Sequence, residues 1–177
     1  MTMKISKLLF ILLAAVTLAS CSTARKAIAD KETLEWRYEV EATAGQATQG
    51  SVLVKVWSYS KDKYVARNQA GKNAVHAILF KGVSALNDGT TRVPAQRPIV
   101  TDLSAEETYN AYFKDFFADG GKYMKYVYFV NNAVPAPGDI IKIKNEYKIG
   151  VKVSVSKDAL RKEMETAGIV KGLGAGF

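Results

Sequence analysis

The chain of 177 residues has a single cysteine, a single histidine and only four prolines. One cysteine, Cys21, excludes an intramolecular disulfide and a cysteine-based metal cluster. One histidine, His76, leaves a single imidazole through which a nucleophilic triad could be completed, and no G-x-S-x-G is present. These absences point away from metal, cofactor and triad chemistry, and the sequence predicts no metal site and no cofactor. Carboxylates alone can run acid–base chemistry, but Glu106, Glu107, Asp115 and Asp119 fall on one predicted helix and Glu35, Glu39 and Glu41 on the outer side of one predicted strand. Both groups read as solvated faces, which leaves a small carboxylate-dependent enzyme as the weakest of the readings.

Long apolar runs are also lacking. Residues 8–19, LLFILLAAVTLA, form the main one, broken only by Thr17 and preceded by Lys4 and Lys7. A bilayer-spanning helix takes about 20 apolar residues, so this stretch is short for a span and has the form of a secretory signal peptide over residues 1–20. Leu18-Ala19-Ser20-Cys21 resembles the bacterial lipobox. The resemblance implies cleavage before Cys21, a diacylglyceryl group on its sulfur and acylation, palmitate included, of the new amino terminus. Several acyl chains are needed because one gives only marginal attachment, at about 0.8 kcal/mol per buried methylene. Ser22, where an inner-membrane retention signal has Asp, resembles the pattern of outer-membrane sorting. The expectation is a lipid-anchored protein of the bacterial cell envelope, at the outer membrane.

Removal of residues 1–20 takes away two lysines and no acid, so 23 basic residues face 17 acidic ones, a formal +6. On an exported chain such a balance suits lipid head groups, anionic glycans or peptidoglycan rather than nucleic acid, and the partner expected is an envelope protein or an anionic glycan. Residues 21–33 read as the lipidated cysteine and a polar tether, which at about 3.3 Å per residue reaches some 40 Å. Residues 34–169 are expected to form one domain and residues 170–177 a loose tail.

Within the domain, alternation over 34–42 and 51–60 predicts two strands joined through a Gly45–Gly50 turn. A helix capped by Asp62 is expected over 63–81, with Ala66, Ala70, Ala74 and Ala77 on its packing face. Residues 82–103 show no sustained period and read as a long loop, functional or disordered, with Arg92 and Arg97 as candidate partner contacts. Ser104 and Glu107 have capping-box spacing before a helix over 105–118 whose aromatic stripe, Tyr109, Tyr112, Phe113, Phe116 and Phe117, belongs in a core. Residues 122–130 are rich in β-formers. From Ile141 to Val155 odd positions are mostly apolar and even ones mostly polar, which predicts one long strand with a wet face carrying Lys142, Lys144, Lys148 and Lys152, and with a bend or bulge at Asn145 or Gly150. Ser156 opens a last helix that Gly168 closes.

The order ββααββα gives an α+β fold, an antiparallel sheet of about four strands with helices on one face. That order, the alanines at 66, 70 and 74, and the closing VKVSVSKDALRKEMETAGI resemble small envelope lipoproteins. These are related in shape to the amino-terminal domain of flagellar assembly protein T, the curli-secretion lipoprotein and the lipoprotein activators of penicillin-binding proteins. The resemblance implies a non-enzymatic scaffolding or docking role, with the lysine face and the 82–103 segment as partner surfaces. The alternative expectation is a subunit that self-assembles through an exposed sheet edge.

Overall fold

The computed structural model describes residues 33–45, 47–65 and 67–172; the expected signal peptide, Cys21, most of the expected tether, Ala66 and the end of the expected tail lie outside the described residues. The architecture is α+β, with a five-stranded antiparallel sheet and helices. Strands β1 (Thr33–Ala42) and β2 (Val52–Ser60) form the expected hairpin. β2 then pairs with β7 (Glu146–Val155) over nine rungs, from Val52 opposite Val155 to Ser60 opposite Tyr147. The far side of β7 is shared by two short strands, β5 (Val127–Phe129) against residues 153–155 and β6 (Ile140–Ile143) against residues 146–149. Between them the Asp139 carbonyl accepts from the Gly150 amide at 2.8 Å, which keeps the central strand bonded on both sides there.

Alternation explains the layers. Val54 and Val56 of β2 and Ile149, Val151, Val153 and Val155 of β7 are buried on one face. Helices α1 (Arg67–His76) and α4 (Lys157–Thr166) contribute Ala70, Ala74, Val75, Leu160 and Met164 to the same core. The aromatic stripe enters it as well, with Phe113, Phe116 and Phe117 buried and Tyr109 and Tyr112 packed at its margin. Ser58 and Ser60 face inward at valine positions. Ser58 Oγ accepts from Asn73 Nδ2 at 3.0 Å, and Asn73 Oδ1 accepts from Gln69 Nε2 at 2.9 Å, so this buried polar chain is bonded within itself.

Several expectations are corrected. The stretch 141–155 is not one strand, because the chain reverses at Lys144 (φ 52) and Asn145 to make the β6–β7 hairpin, whose rungs include Ile143 opposite Glu146. Gly150 sits in regular register, not at a bulge. A Cβ there would lie 2.9 Å from the Trp57 ring, and the bare glycine lets the indole lie across the strand. Asp62 does not cap α1; its amide donates to Ser60 Oγ in a bend and the described helix starts at Arg67. Ser104 makes no side-chain cap, and it is Asp102 Oδ1 that accepts from the Ser104 amide and hydroxyl, at 2.9 and 2.8 Å. The helix over 105–118 is broken at Tyr109 into α2 (Ala105–Thr108) and α3 (Asn110–Phe116). Residues 122–130 are mainly a 3₁₀ turn, Lys122–Tyr126, before the short β5. Asn131, Asn132 and Ala133 follow in the left-handed region with φ of 51, 53 and 65. Ile169 and Val170 pack on the core, so the domain runs past the boundary expected for the tail.

The 82–103 segment is ordered. α1 continues as a π turn, Ala77–Lys81, closed by the Gly82 amide on the Ala77 carbonyl at 2.8 Å. The chain then forms a small hairpin of β3 (Leu86–Asn87) and β4 (Arg92–Val93), with Val83 bridged to Gln96. Ile99 and Val100 are buried, their amides bonded to the carbonyls of Ile78 and Leu79. Gly82 has φ +74, and a Cβ there would meet the Gln96 carbonyl at 2.6 Å; Gly89 has φ +86 with nothing within 4 Å. Gly82→Ala is therefore expected to destabilise the fold by well over the about 1–2 kcal/mol of left-handed backbone strain alone that limits Gly89→Ala. Chemical denaturation of the two variants measures the difference, and equal losses would contradict the crowding at Gly82.

Candidate functional site

Among the described residues, no helix covers the sheet face opposite the buried valines, and we call it the open face. Its rows place Glu39 beside Trp57 and Glu41 beside Lys55 on β1 and β2, then Lys55 beside Lys152, Trp57 beside Gly150 and Tyr59 beside Lys148 on β2 and β7. The Lys55 and Lys148 ammonium groups stand 5.2 and 5.3 Å from the centre of the Trp57 ring. Lys55 Nζ donates to Asp139 Oδ1 at 2.9 Å and Lys148 Nζ to Glu39 Oε2 at 2.7 Å. Arg37 lies 4.3 Å over the Tyr59 ring and forks onto Glu146 at 2.6 and 2.8 Å. Glu39 also accepts from the Tyr59 hydroxyl. The hydrogen bond from Lys148 is the main reason the Glu39 carboxyl is held below the usual range, with the Tyr59 hydrogen bond next.

The four sequence-predicted lysines do not share a face. Lys148 and Lys152 do, being of one parity on β7. The hairpin turn inverts parity, however, so Lys142, paired with Tyr147, belongs to the face of Ile149, and Lys144 occupies the turn itself. Lys55, Trp57 and Arg37 complete the open face instead. Four cations there, Arg37, Lys55, Lys148 and Lys152, are matched by four carboxylates, Glu39, Glu41, Asp139 and Glu146, so the face is balanced rather than a basic patch. Along β2, alternation separates Lys55, Trp57 and Tyr59 from Val52, Val54 and Val56. The acids that neutralise the lysines come from β1, β6's approach and the β7 start, which only the sheet order brings together.

Arg92 and Arg97 are exposed and separate from that face. Arg92 lines a shallow depression of about 400 Å³ with Ala85, Leu86, Asn87, Val93 and Pro94. The Arg97 carbonyl accepts from Lys157 Nζ at 3.1 Å, as does Gln96 Oε1, which fastens the segment to the start of α4.

His76 lies at the boundary of the core with both ring nitrogens engaged. The Tyr38 hydroxyl is 2.6 Å from Nδ1, and Glu106 Oε1 is 3.1 Å from Nε2. Trp36, Phe80 and Phe117 surround the ring with centroids 4.9, 5.0 and 6.2 Å away. Trp36 is held at φ 54 where the β1–β2 register shifts, a left-handed backbone that a bulky residue adopts only under constraint. The neutral ring satisfies this arrangement, with the phenol donating to Nδ1 and Nε2–H donating to Glu106. Burial lowers the His76 pKa, Glu106 opposes that shift and Lys81 adds to it. Burial raises the Tyr38 phenol, helped by the Glu106 charge. The imidazole thus ties β1, α1 and α2 together. Tyr38 and Glu106 lie 38 and 30 residues from it, a spacing with no local signature.

No family model matches the chain, and the searches of curated proteins and of solved structures return no match. Any function must therefore be argued from the residues themselves.

Because His76 has a depressed pKa in the fold, the unfolded chain binds its proton more readily. The stability it contributes is present above the ordinary value of about 6.5 and is lost as pH falls through the folded value. Denaturation midpoints measured from pH 7.5 down to 5.5, a window set by that ordinary value of about 6.5, are expected to fall for the parent chain and to stay nearly level for His76→Gln. A parallel decline in both would remove His76 as the cause.

Proposed function

We propose that this chain is a lipid-anchored protein of the bacterial outer membrane that acts by contact, as a binding or scaffolding module rather than an enzyme. Its partner in this reading is an envelope protein seated on the open sheet face. The observation that carries it is the makeup of that face: Trp57, Tyr59 and Arg37 engaged in cross-strand cation–π, hydrogen-bond and ion-pair contacts on a sheet whose described helices all pack on the other side. Aromatic and arginine side chains dominate the energetics of protein contacts, and prior ordering reduces what association must immobilise. An anionic glycan is favoured less, because Lys55 and Lys148 there already have carboxylate partners. Support for the anchor is the Leu18-Ala19-Ser20-Cys21 motif.

Self-assembly through a sheet edge is supported less. The outer strand β1 alternates charged residues and carries the register shift at Trp36, both devices that discourage strand addition.

Cells producing the full chain and fed a fatty-acid analogue are expected to label it, and Cys21→Ser is expected to abolish the label and leave the leader uncut by intact mass. A photo-crosslinker replacing Tyr59 is expected to give a discrete protein adduct, whereas one replacing Lys162 on α4 is not. With the partner in hand, Trp57→Ala is expected to weaken binding by about 2 kcal/mol or more, as at other contact centres. Adducts from Lys162 and none from Tyr59 would reject the open face as the working surface.

A further inference from the structure

We infer that the end of the sheet where β1 begins is a membrane-facing surface that rests on anionic phospholipid head groups. The inference rests on the lipid-anchor reading above and gives the anchored domain an orientation. The pairing register defines that end. Thr33 lies opposite Ser60, Ser60 opposite Tyr147, and Tyr147 opposite Lys142. The first residue of β1, the end of β2 and the β6–β7 turn therefore occupy one row across the sheet. Cys21 lies twelve residues before Thr33 in the sequence, at most about 40 Å of chain. An anchor at Cys21 consequently enters the domain at this row and at no other.

The same end is basic. Lys61 and Lys63 follow β2 in the bend after Ser60, and Lys142 and Lys144 sit on β6 and at its turn; all four are exposed. Among the described side chains none of them has a carboxylate within ion-pair distance, whereas Lys55 and Lys148 on the open face are both paired. Among the described residues the acids placed at this end are Asp62, Glu35 two residues into β1, and Glu146, which Arg37 already engages. Half-exposed Ile140 and Ile141 lie just behind the turn on β6. Lysines near an anionic surface each add attraction that falls off within about 10 Å, so four at the tethered end act only if that end meets the head groups.

The opposite end lies about 25 Å away along β7, at 3.3 Å per residue. It is formed by the rung of Val52 with Val155, the Gly50 carbonyl that accepts from the Asp158 amide, and the Gln96–Arg97 stretch fastened to Lys157. On this orientation the 82–103 hairpin is held away from the bilayer, and the sheet stands with its open face lateral and accessible to a partner.

The test uses the full lipidated chain on vesicles of phosphatidylcholine, with or without an equal amount of phosphatidylglycerol. A fluorophore is placed on Asn145→Cys in the β6–β7 turn or on Gln49→Cys in the β1–β2 turn, and head-group-labelled lipid serves as quencher. Co-sedimentation reports the anchor independently. The expected result is co-sedimentation of every variant and quenching at position 145 several-fold above that at 49, stronger with phosphatidylglycerol and reduced by high salt. Lys61→Gln, Lys63→Gln, Lys142→Gln and Lys144→Gln together are expected to remove most of the phosphatidylglycerol-dependent part without loss of co-sedimentation. Co-sedimentation with equal quenching at 145 and 49, or with quenching that ignores phosphatidylglycerol, overturns the orientation while leaving the anchor standing. A chain that stays in solution and takes fluorophore at Cys21 overturns the anchor itself, and the orientation with it.

Discussion

The nine-rung pairing of β2 with β7 is the constraint on which the rest of the structure depends. It aligns Val54 and Val56 with Val153 and Val151 on one side, which makes the floor for α1, α4 and the aromatic stripe. It also fixes the other side, where Trp57 meets Gly150 and Tyr59 meets Lys148. A slip of one residue would exchange the two faces, placing lysines under the helices and valines in water. Burial of the valine floor is what forbids that slip. β1, β5 and β6 then attach to a ladder whose register is already set.

The two faces are stabilised in different ways. On the inner face apolar area is removed from water, with a few polar groups bonded among themselves. On the outer face each long side chain lies over a neighbouring ring or against an opposite charge. Individual exposed ion pairs of this sort contribute about 0–1 kcal/mol, so their effect is less on stability than on order. They hold Trp57, Tyr59 and Arg37 in fixed positions on a surface that remains accessible. Elsewhere a similar device closes the body: Glu163 of α4 accepts from Tyr112, Tyr126 and Lys122 at 2.9, 3.0 and 3.0 Å, locking the aromatic stripe to the last helix. Lys122 is the principal cause of the depressed Glu163 carboxyl, and the phenol of Tyr126 is pushed up to about 12 mainly by burial.

What the sequence made legible is what period alone encodes. The β1–β2 hairpin, the aromatic stripe, α4 and the α+β class follow from alternation, helical spacing and glycine punctuation. Asn145 marks an irregularity in the sequence, but not that the chain reverses there, because Lys144 and Asn145 bring no glycine or proline and apolar and polar residues keep alternating through the reversal. A period of two does not register a change of direction, yet that change moves Lys142 to the other face. The 82–103 hairpin escaped because its strands are two residues each and Ile99 and Val100 are anchored by partners twenty-one residues earlier. The Tyr38–His76–Glu106 contact and the acids beside Lys55 and Lys148 arise from strand order, which local pattern does not contain. Of the candidate site, the shared side of Lys148 and Lys152 is readable from their spacing, while the place of Trp57 beside them and the charge balance are not.

The three consecutive left-handed residues between β5 and β6 restrict how this protein can vary. Outside glycine, that region of backbone is adopted readily by asparagine and aspartate and poorly by branched side chains. Descendants of the sequence can therefore drift at Asn131, Asn132 and Ala133 only within a narrow alphabet, although the connection is a surface loop of the kind that usually diverges fastest. An unusually restricted NNA-like triplet flanked by variable residues would serve as a fingerprint for recognising distant members of this fold when overall identity has faded.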